Sequence, residues 1–306
     1  MSVLNDFVAG LKFGDTQTYG RLTIRPVIAE GDVSLPFLTL EEAQAKDLLE
    51  ITETSEDGSV PELLVKNTGD TDVILIEGEI LEGAKQNRMV NTTIIVPAKT
   101  EMTIPVTCVE RGRWHYKRRN FRSAGHVAYS SMRRASHQSV AKSVLRFDRH
   151  TSDQGAVWSD IEAKMARLRI HSASEAATDM EDHIMRSVAS TYEKPIEEGI
   201  VHQPNQVGFI AFIDNGFAGA DLFGSADLCE RQLIKLARGY LVDSEDPAVK
   251  FPEIDGDEVL RGLAESEPVE RKSVGKGREF RFESVKIEGA CKVVDERVSH
   301  ITVFPK

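Results

Sequence analysis

The chain has 306 residues, of which 41% are hydrophobic and 28% charged, and its formal net charge is −11. This length can bury a core large enough to fold unaided, and no 18-residue apolar run indicates a transmembrane helix. Because no basic-then-apolar leader follows Met1, we expect a cytoplasmic protein that does not enter a membrane.

The first hundred residues are typical of short strands separated by turns. The predicted strands are 21–27, 49–54, 62–67, 71–81, 92–97 and 101–109. Turn signals stand at 57–58 and 67–70. One helix is predicted over 41–49, where Thr39 and Glu42 form a capping box. Strands at this spacing favour a sandwich or a partly closed barrel.

Charge is unevenly distributed along the chain. The segment from Arg111 to Arg149, which we call the basic segment, carries eleven Lys/Arg against one acid, Asp148, so the remainder of the chain carries −21. Such a segment is either an anion-binding patch for phosphate or nucleic acid, or a region that forms salt bridges with the acidic body. Its aromatic residues are suited to stacking on bases and equally to local packing.

Helical periodicity begins after the basic segment. Apolar residues recur at helical spacing from Trp158 to Leu168, which predicts one helix. A second helix is predicted from Ser172, with Glu175 completing a capping box.

The last hundred residues combine a hairpin, a helix and further strands. Strands 206–213 and 217–223 are predicted to pair through a turn at 214–216, and a helix is predicted to begin at Ser225. Apolar spacing on that helix places Cys229 in the core, and strand alternation does the same for Cys291.

Two carboxylates interrupt an otherwise apolar strand. Glu77 and Glu79 share a face with Val73 and Leu81, about 7 Å apart by strand rise. Buried carboxylates need cationic or hydrogen-bonding partners, or one of them holds a proton. The alternative is a strand end that reaches solvent.

A polar turn follows this strand, and a second cluster of charges follows the strand that ends at Glu110. The turn concentrates amide and basic side chains, which bind polar ligands bidentately. Alternation along 104–110 puts Glu110 on the core side of its strand, at the predicted mouth of a pocket. The candidate binding residues are Gln86, Asn87, Arg88, Arg111, Arg113 and Trp114.

Common catalytic and cofactor motifs are absent from the sequence. The eight histidines form neither HxH nor HExxH, the three cysteines form no CxxC pair, and no GxGxxG, GxxxxGK[ST] or GxSxG occurs. No metal site is therefore indicated, and no cofactor is identified. Cys108 shares a face with Ile104 and Val106, which favours a packed core thiol over a nucleophile.

Four segments carry a family resemblance: EGEILEGAKQNRMVNTTIIVPAKTEMTIPVTCVERGRW (77–114), QGAVWSDI (154–161), QVGFIAFIDNGFAGADLF (206–223) and VSHITVF (298–304). Together they resemble the ARG and rhodanese-phosphatase-superfamily-associated protein domain, in which ARG denotes ADP-ribosylglycohydrolase. The likeness spans nearly the whole chain and departs at Ala84, where a second glycine is expected. It implies, by association only, a role near NAD-derived or ADP-ribosylated metabolites.

We therefore expect an α+β fold in which several helices pack on a β-sandwich or partly closed barrel. A single domain, 1–306, would contain a β-rich part (1–115), the basic segment (111–149), a helical part (154–192), a hairpin and helix (206–242) and C-terminal strands (270–304). The oligomeric state is not indicated.

The leading functional hypothesis is a hydrolase that cleaves a glycosidic or phosphoester bond in an ADP-ribose-type or other phosphate-bearing nucleotide. Glu79 and Glu110 would be the general acid and base, since a carboxylate pair suits glycosidic cleavage. Gln86 and Asn87 would hold hydroxyls, beside Trp114, and Arg88, Arg111 and Arg113 would bind phosphate. The alternatives are a non-catalytic module that binds nucleotide or nucleic acid through the basic segment, and a protein-interaction scaffold.

Overall fold

The computed structural model describes residues 3–31, 34–55 and 61–306. In these ranges the helices are α1 (Val3–Ala9), α2 (Leu40–Ala45), α3 (Ser130–Phe147), α4 (Gln154–Leu168), α5 (Ala177–Thr191), α6 (Ile196–Gly199), α7 (Ala226–Ser244) and α8 (Gly256–Glu265). The first strands are β1 (Leu11–Phe13), β2 (Gln17–Tyr19), β3 (Leu22–Ala29), β4 (Leu38–Thr39), β5 (Leu49–Glu53), β6 (Glu62–Asn67), β7 (Val73–Leu75), β8 (Glu79–Gly83) and β9 (Arg88–Val90). The others are β10 (Ile94–Val96), β11 (Thr100–Cys108), β12 (Phe121–Val127), β13 (Gln206–Ile213), β14 (Gly216–Phe223), β15 (Val269–Arg271), β16 (Arg278–Glu283), β17 (Ile287–Val294) and β18 (Arg297–Pro305).

The largest sheet has nine antiparallel strands in the order β1-β3-β13-β14-β18-β17-β16-β15, with β2 paired to β3. The predicted hairpin forms its centre as β13 and β14. Alternation along β17 and β18 gives this sheet two faces, because successive side chains point to opposite sides. One face is apolar, includes Cys291 and Ile301, and packs against α1 and α8.

Strands β4 to β12 form two smaller sheets. The six-stranded sheet has the order β12-β8-β9-β11-β6-β5, and the three-stranded sheet has the order β10-β7-β4. Their apolar side chains make a separate core that includes Ile51, Val65 and Ile104. The pairing of β4 with β7 is parallel, as is the isolated bridge between Ile95 and Gly275, and the other strand pairs in the described ranges are antiparallel. The predicted α+β class, with a β core and packed helices, is confirmed.

The predicted strand 71–81 is wrong as a single element. β7 ends at Leu75 and β8 begins at Glu79, and the two belong to different sheets. The break falls at Gly78, whose φ of +91° suits glycine. A Cβ at Gly78 would lie 2.8 Å from the Arg133 side chain, so this glycine also makes room for an arginine of α3.

Of the two capping boxes predicted from the sequence, one is present and one is absent. The Thr39–Glu42 capping box is present, although α2 ends at Ala45. The Ser172–Glu175 box is wrong, because α5 begins at Ala177 and the Ser172 hydroxyl donates to Asp179 instead. Helix α3, which occupies much of the basic segment, was not predicted. The turn expected at 57–58 lies outside the described residues.

Candidate functional site

Five predicted site residues come together between the turn after β8 and the end of β11. We call Gln86, Asn87, Arg88, Glu110 and Arg113, together with Cys108, the arginine–glutamate cluster. Glu110 accepts from the Asn87 N–H at 2.8 Å and from Arg113 Nε and Nη2 at 2.8 and 2.7 Å. Arg113 also donates to the carbonyl oxygens of Ala84 and His115, at 2.6 and 2.9 Å. These bonds use the donors of Arg113 within the protein and hold the polar turn in place.

Arg88 and Cys108 lie deeper in the same cluster. The Arg88 side chain is fully buried, donates from Nη1 to the Gln86 carbonyl at 3.2 Å, and has Nη2 3.9 Å from Glu53. The Cys108 thiol donates to the Glu110 carbonyl at 2.8 Å and lies 3.1 Å from Gln86 Oε1. Burial raises the pKa of Cys108, although the charge of Arg88 opposes that effect. A buried thiol with a raised pKa is a poor nucleophile.

The remaining predicted residues lie elsewhere. Arg111 and Trp114 are exposed on the loop after β11, where Arg111 is 3.7 Å from Glu162. Glu79 is buried and forms an ion pair with Lys235 of α7, which also binds Glu41 at 2.8 Å. Burial raises the pKa of Glu79 to about 7, against the lowering effect of the Lys235 charge. The turn at Gly78 explains this separation, because β8 runs beside β12 and faces α7.

A second polar site, which the sequence analysis missed, occupies the other face of the nine-stranded sheet. Its members are adjacent in register, since Glu279 is opposite Lys292, Lys292 opposite His300, and Thr302 opposite Asp221. All are buried. We call these residues, with the side chains that cover them, the polar layer. It comprises Glu77, Thr93, Arg133, His137, His150, Asp221, Glu279, Arg281, Lys292, His300 and Thr302.

Asp221 is the centre of this layer. Arg133 of α3 donates to both of its oxygens, at 3.0 and 2.6 Å, and Tyr240 of α7 donates at 2.9 Å. His300 Nε2 lies 3.2 Å from the same carboxylate, and its Nδ1 is 2.8 Å from the Thr93 hydroxyl. Burial opposes ionisation, but Arg133 and His300 outweigh it and hold the pKa of Asp221 well below its usual range.

Two further carboxylates of the polar layer are paired with histidines. His150 Nε2 lies 2.9 Å from Glu279, and His137 Nδ1 lies 2.8 Å from Glu77. Burial alone would raise the pKa of Glu279, but the His150 hydrogen bond and the Arg281 charge lower it to about 2. Burial likewise opposes ionisation of Glu77, and the charges of His137 and Arg281 reverse it, so its pKa is also lowered.

The polar layer reaches a pocket of about 470 Å³ between α3 and strands β15 to β17. His137 and Arg281 are the members of the layer that line it. Arg281 is 8% exposed, and its Nη2 is 2.9 Å from Glu279. Its Nη1 has no hydrogen-bond partner within the described part of the chain. The other charged lining residues are Lys142, Glu267, Arg271, Glu283, Glu288 and Lys306.

Two of the three glutamates in this pocket already have partners. Glu288 accepts from Gln138 at 2.6 Å, and Glu283 is 3.0 Å from Lys306. The apolar wall includes Leu145 and Val269, which are 68% and 45% exposed. A concave site with a few convergent polar groups on an apolar wall is the usual form of a small-molecule site.

The sequence did carry a signal for the polar layer. Charged and polar residues alternate with apolar ones along β16 and β18, as in Glu279-Phe280-Arg281 and His300-Ile301-Thr302. The apolar residues of this alternation predict the core, and the polar residues between them mark the polar layer. Alternation alone does not distinguish a charged face that is buried from one that faces water.

The fold and the site define an α+β protein with a buried polar layer that opens on a pocket beside α3. A family model described as the ARG and Rhodanese-Phosphatase-superfamily-associated Protein domain matches residues 10–304, and the chain belongs to this family. No curated protein and no solved structure gives a significant match.

Two searches of the described residues were negative. No helix there is long and apolar enough to cross a membrane. No group of three or more His, Cys, Asp or Glu side chains in those ranges is placed to hold a metal ion.

Proposed function

We propose that this protein is a hydrolase that binds a phosphate-bearing small molecule in the pocket between α3 and strands β15 to β17. The observation that carries the proposal is the convergence of His137 and Arg281 on this pocket. Arg281 Nη1 is a buried guanidinium donor with no protein partner in the described residues, and an anionic oxygen would satisfy it. Lys142 and Arg271 on the same wall favour a negatively charged ligand.

His137 is the proposed general acid and base. Its Nδ1 faces the Glu77 carboxylate at 2.8 Å, which fixes the orientation of the ring. An imidazole held in this way takes a proton from water as the water oxygen bonds to the electrophilic phosphorus or sugar carbon and the bond to the leaving oxygen breaks, and it returns the proton to that leaving oxygen. This assignment replaces the Glu79–Glu110 pair, because Glu110 is saturated by Asn87 and Arg113 while Glu79 is paired with Lys235.

The nucleotide class of the substrate is supported by the name of the family, which refers to ARG and to the rhodanese-phosphatase superfamily. The phosphate requirement is supported by Arg281. All three cysteines are unpaired and buried, which fits a reducing compartment and supports a cytoplasmic location.

Calorimetric titration with ADP-ribose, NAD and inorganic phosphate tests the binding step, and chromatography of the mixtures tests turnover. We expect Arg281→Met to weaken binding by roughly ten- to a hundredfold, the effect of a lost charged hydrogen bond. His137→Asn should retain binding and lose about 10² to 10⁴ in turnover rate. Arg261→Met, on the exposed side of α8, is the matched control, because Arg261 lies outside both the pocket and the basic segment. Binding that Arg281→Met leaves unchanged would refute the proposal.

A second candidate is nucleic-acid binding by the basic segment. Trp114 and Tyr116 are 49% and 45% exposed beside exposed cations, which include Arg119 and Arg122. Steep weakening of RNA binding with rising salt would identify this function, because each phosphate contact releases counterions. If neither nucleotide nor RNA binds, the interaction-scaffold alternative takes precedence.

A further inference from the structure

A serine and a lysine outside the pocket lie in direct contact. Lys292 of β17 is 2% exposed, and its Nζ is 2.5 Å from Ser273 Oγ and 2.7 Å from the Val274 carbonyl. Ser273 is half-buried in the loop between β15 and β16. Ser273 is therefore partly exposed to solvent, whereas Lys292 is not.

The loop that carries Ser273 is fixed by contacts with β10. Gly275, at a φ of +70°, bridges to Ile95, and the Lys276 N–H donates to the Ile95 carbonyl at 2.9 Å. The Lys276 amine is 2.8 Å from Asp72. A Cβ at Gly275 would lie 2.2 Å from the Ile95 carbonyl, so the approach requires glycine. These contacts hold the hydroxyl against the amine without help from a ligand.

The environment of Lys292 makes the neutral amine easier to form than in an exposed lysine. Burial lowers the pKa of Lys292 to about 8, although the charge of Glu279 opposes this. A neutral amine has two N–H groups and one lone pair. It can donate to the Val274 carbonyl while its lone pair accepts the Ser273 hydroxyl, which is the geometry of a nucleophile and its base.

We propose that Ser273 and Lys292 form a nucleophile–base pair that reacts with carboxylic esters or similarly electrophilic acyl groups. The Ser273 proton moves to Lys292 Nζ as Oγ bonds to the carbonyl carbon. The carbon–oxygen bond to the leaving alcohol then breaks, and the alcohol takes that proton. Water releases the acyl group in the same way, with Lys292 again accepting and returning a proton. Neither Ser273 nor Lys292 lines the pocket at Arg281.

Reaction at Ser273 should depend on pH, because only the neutral amine accepts a proton. The titratable and charged groups near Lys292 are Glu279 on β16, His300 on β18 and Lys276 in the loop, with His150 and Arg281 bound to Glu279. Glu279 is already ionised above pH 5. The rate should therefore rise from pH 6 to 9, with a midpoint near 8.

A fluorophosphonate probe tests the pair in the native full-length chain, with mass spectrometry to locate the label. We expect native protein to be labelled at Ser273 about 10² to 10⁴ faster than urea-unfolded protein. Ser273→Ala should abolish this label. Lys292→Met should slow labelling at Ser273 to about the rate in the unfolded protein. Ser284→Ala is the matched control, since Ser284 is half-buried in the turn between β16 and β17 and its hydroxyl accepts from the Ile287 N–H.

Two results would overturn the proposal. One is native Ser273 that reacts no faster than in the unfolded chain. The other is a folded Lys292→Met variant that is labelled at the wild-type rate. Because the comparison of native with unfolded wild type needs no variant, a misfolded Lys292→Met protein does not remove the test.

Discussion

At the scale of the residue, two buried carboxylates of this protein each have several hydrogen-bonding partners. Asp221 has Arg133, Tyr240 and His300 around it, and Glu110 has Arg113 and the Asn87 N–H. A buried charge without such partners is costly, and breaking a buried pair from one side destabilises by about 3 to 5 kcal/mol. The exception among the described side chains that line the pocket is Arg281, whose Nη1 and Nη2 have no hydrogen-bond partner there. Nη2 still lies 2.9 Å from Glu279, so Nη1 is the atom assigned to a ligand.

Cys108 illustrates a buried group whose role is packing. Cys108→Ala should lower the free energy of unfolding by roughly 1 to 2 kcal/mol, because a small buried side chain is lost, and should leave ligand binding intact. Urea denaturation and calorimetry measure the two effects. A variant with an unchanged melting temperature and no activity would instead identify the thiol as the nucleophile.

The lowered pKa of Glu279 predicts that the stability of the protein falls in acid. Its folded pKa of about 2 lies below its ordinary value of 4.5, so its stabilisation is fully present above pH 4.5 and is lost as pH falls towards 2. The difference corresponds to about 3 kcal/mol at neutral pH. Glu279→Gln should therefore have a free energy of unfolding about that much lower than wild type at pH 7. The two free energies of unfolding should become equal near pH 2.

Glu265→Gln serves as the control for this measurement, because Glu265 is exposed at the end of α8. A gap between wild type and Glu279→Gln that stays constant from pH 7 to 2 would show that the pairing with His150 and Arg281 does not depress the pKa.

At the scale of the element, strands β16 to β18 pack the apolar core with one face and position the charges of the polar layer with the other. Cys291 and Ile301 face the apolar core beneath α8, whereas Lys292 and His300 face the polar layer. A shift of one residue in register would exchange the two faces, so the same alternation that builds the core also places the charges.

Helix α7 depends for its start on its N-cap, Ser225. The Ser225 hydroxyl accepts from the Leu228 N–H at 3.2 Å in a buried position, where no water replaces it. Ser225→Ala should lower the free energy of unfolding by about 1 kcal/mol, and Ser225→Thr, which keeps the hydroxyl, should retain more of it. Equal denaturation midpoints for wild type and Ser225→Ala would contradict this role of the cap.

At the scale of the whole molecule, short-range patterns predicted more than long-range ones. The β13–β14 hairpin and the Thr39 cap were predictable because both are set by residues a few positions apart. The polar layer was not, because its pairs join residues far apart in the chain. Arg133 and Asp221 are separated by 88 positions, and Thr93 and His300 by 207.

The candidate site was predicted in part for the same reason. The cluster of Asn87, Glu110 and Arg113 formed as expected because β9 and β11 are neighbouring strands. Glu79 did not join it, since the turn at Gly78 directs its strand towards Lys235. Helix α3 was not predicted because polar and charged residues interrupt the apolar positions on its buried side. This helix places His137 at the pocket.

The most direct test of the central claim is a crystal structure of the protein with inorganic phosphate or ADP-ribose diffused into the crystals. The account predicts a phosphate within hydrogen-bond distance of Arg281 Nη1, in the pocket that His137 lines. A phosphate bound at the arginine–glutamate cluster, with the pocket beside α3 unoccupied, would contradict the account and restore the site first predicted from the sequence.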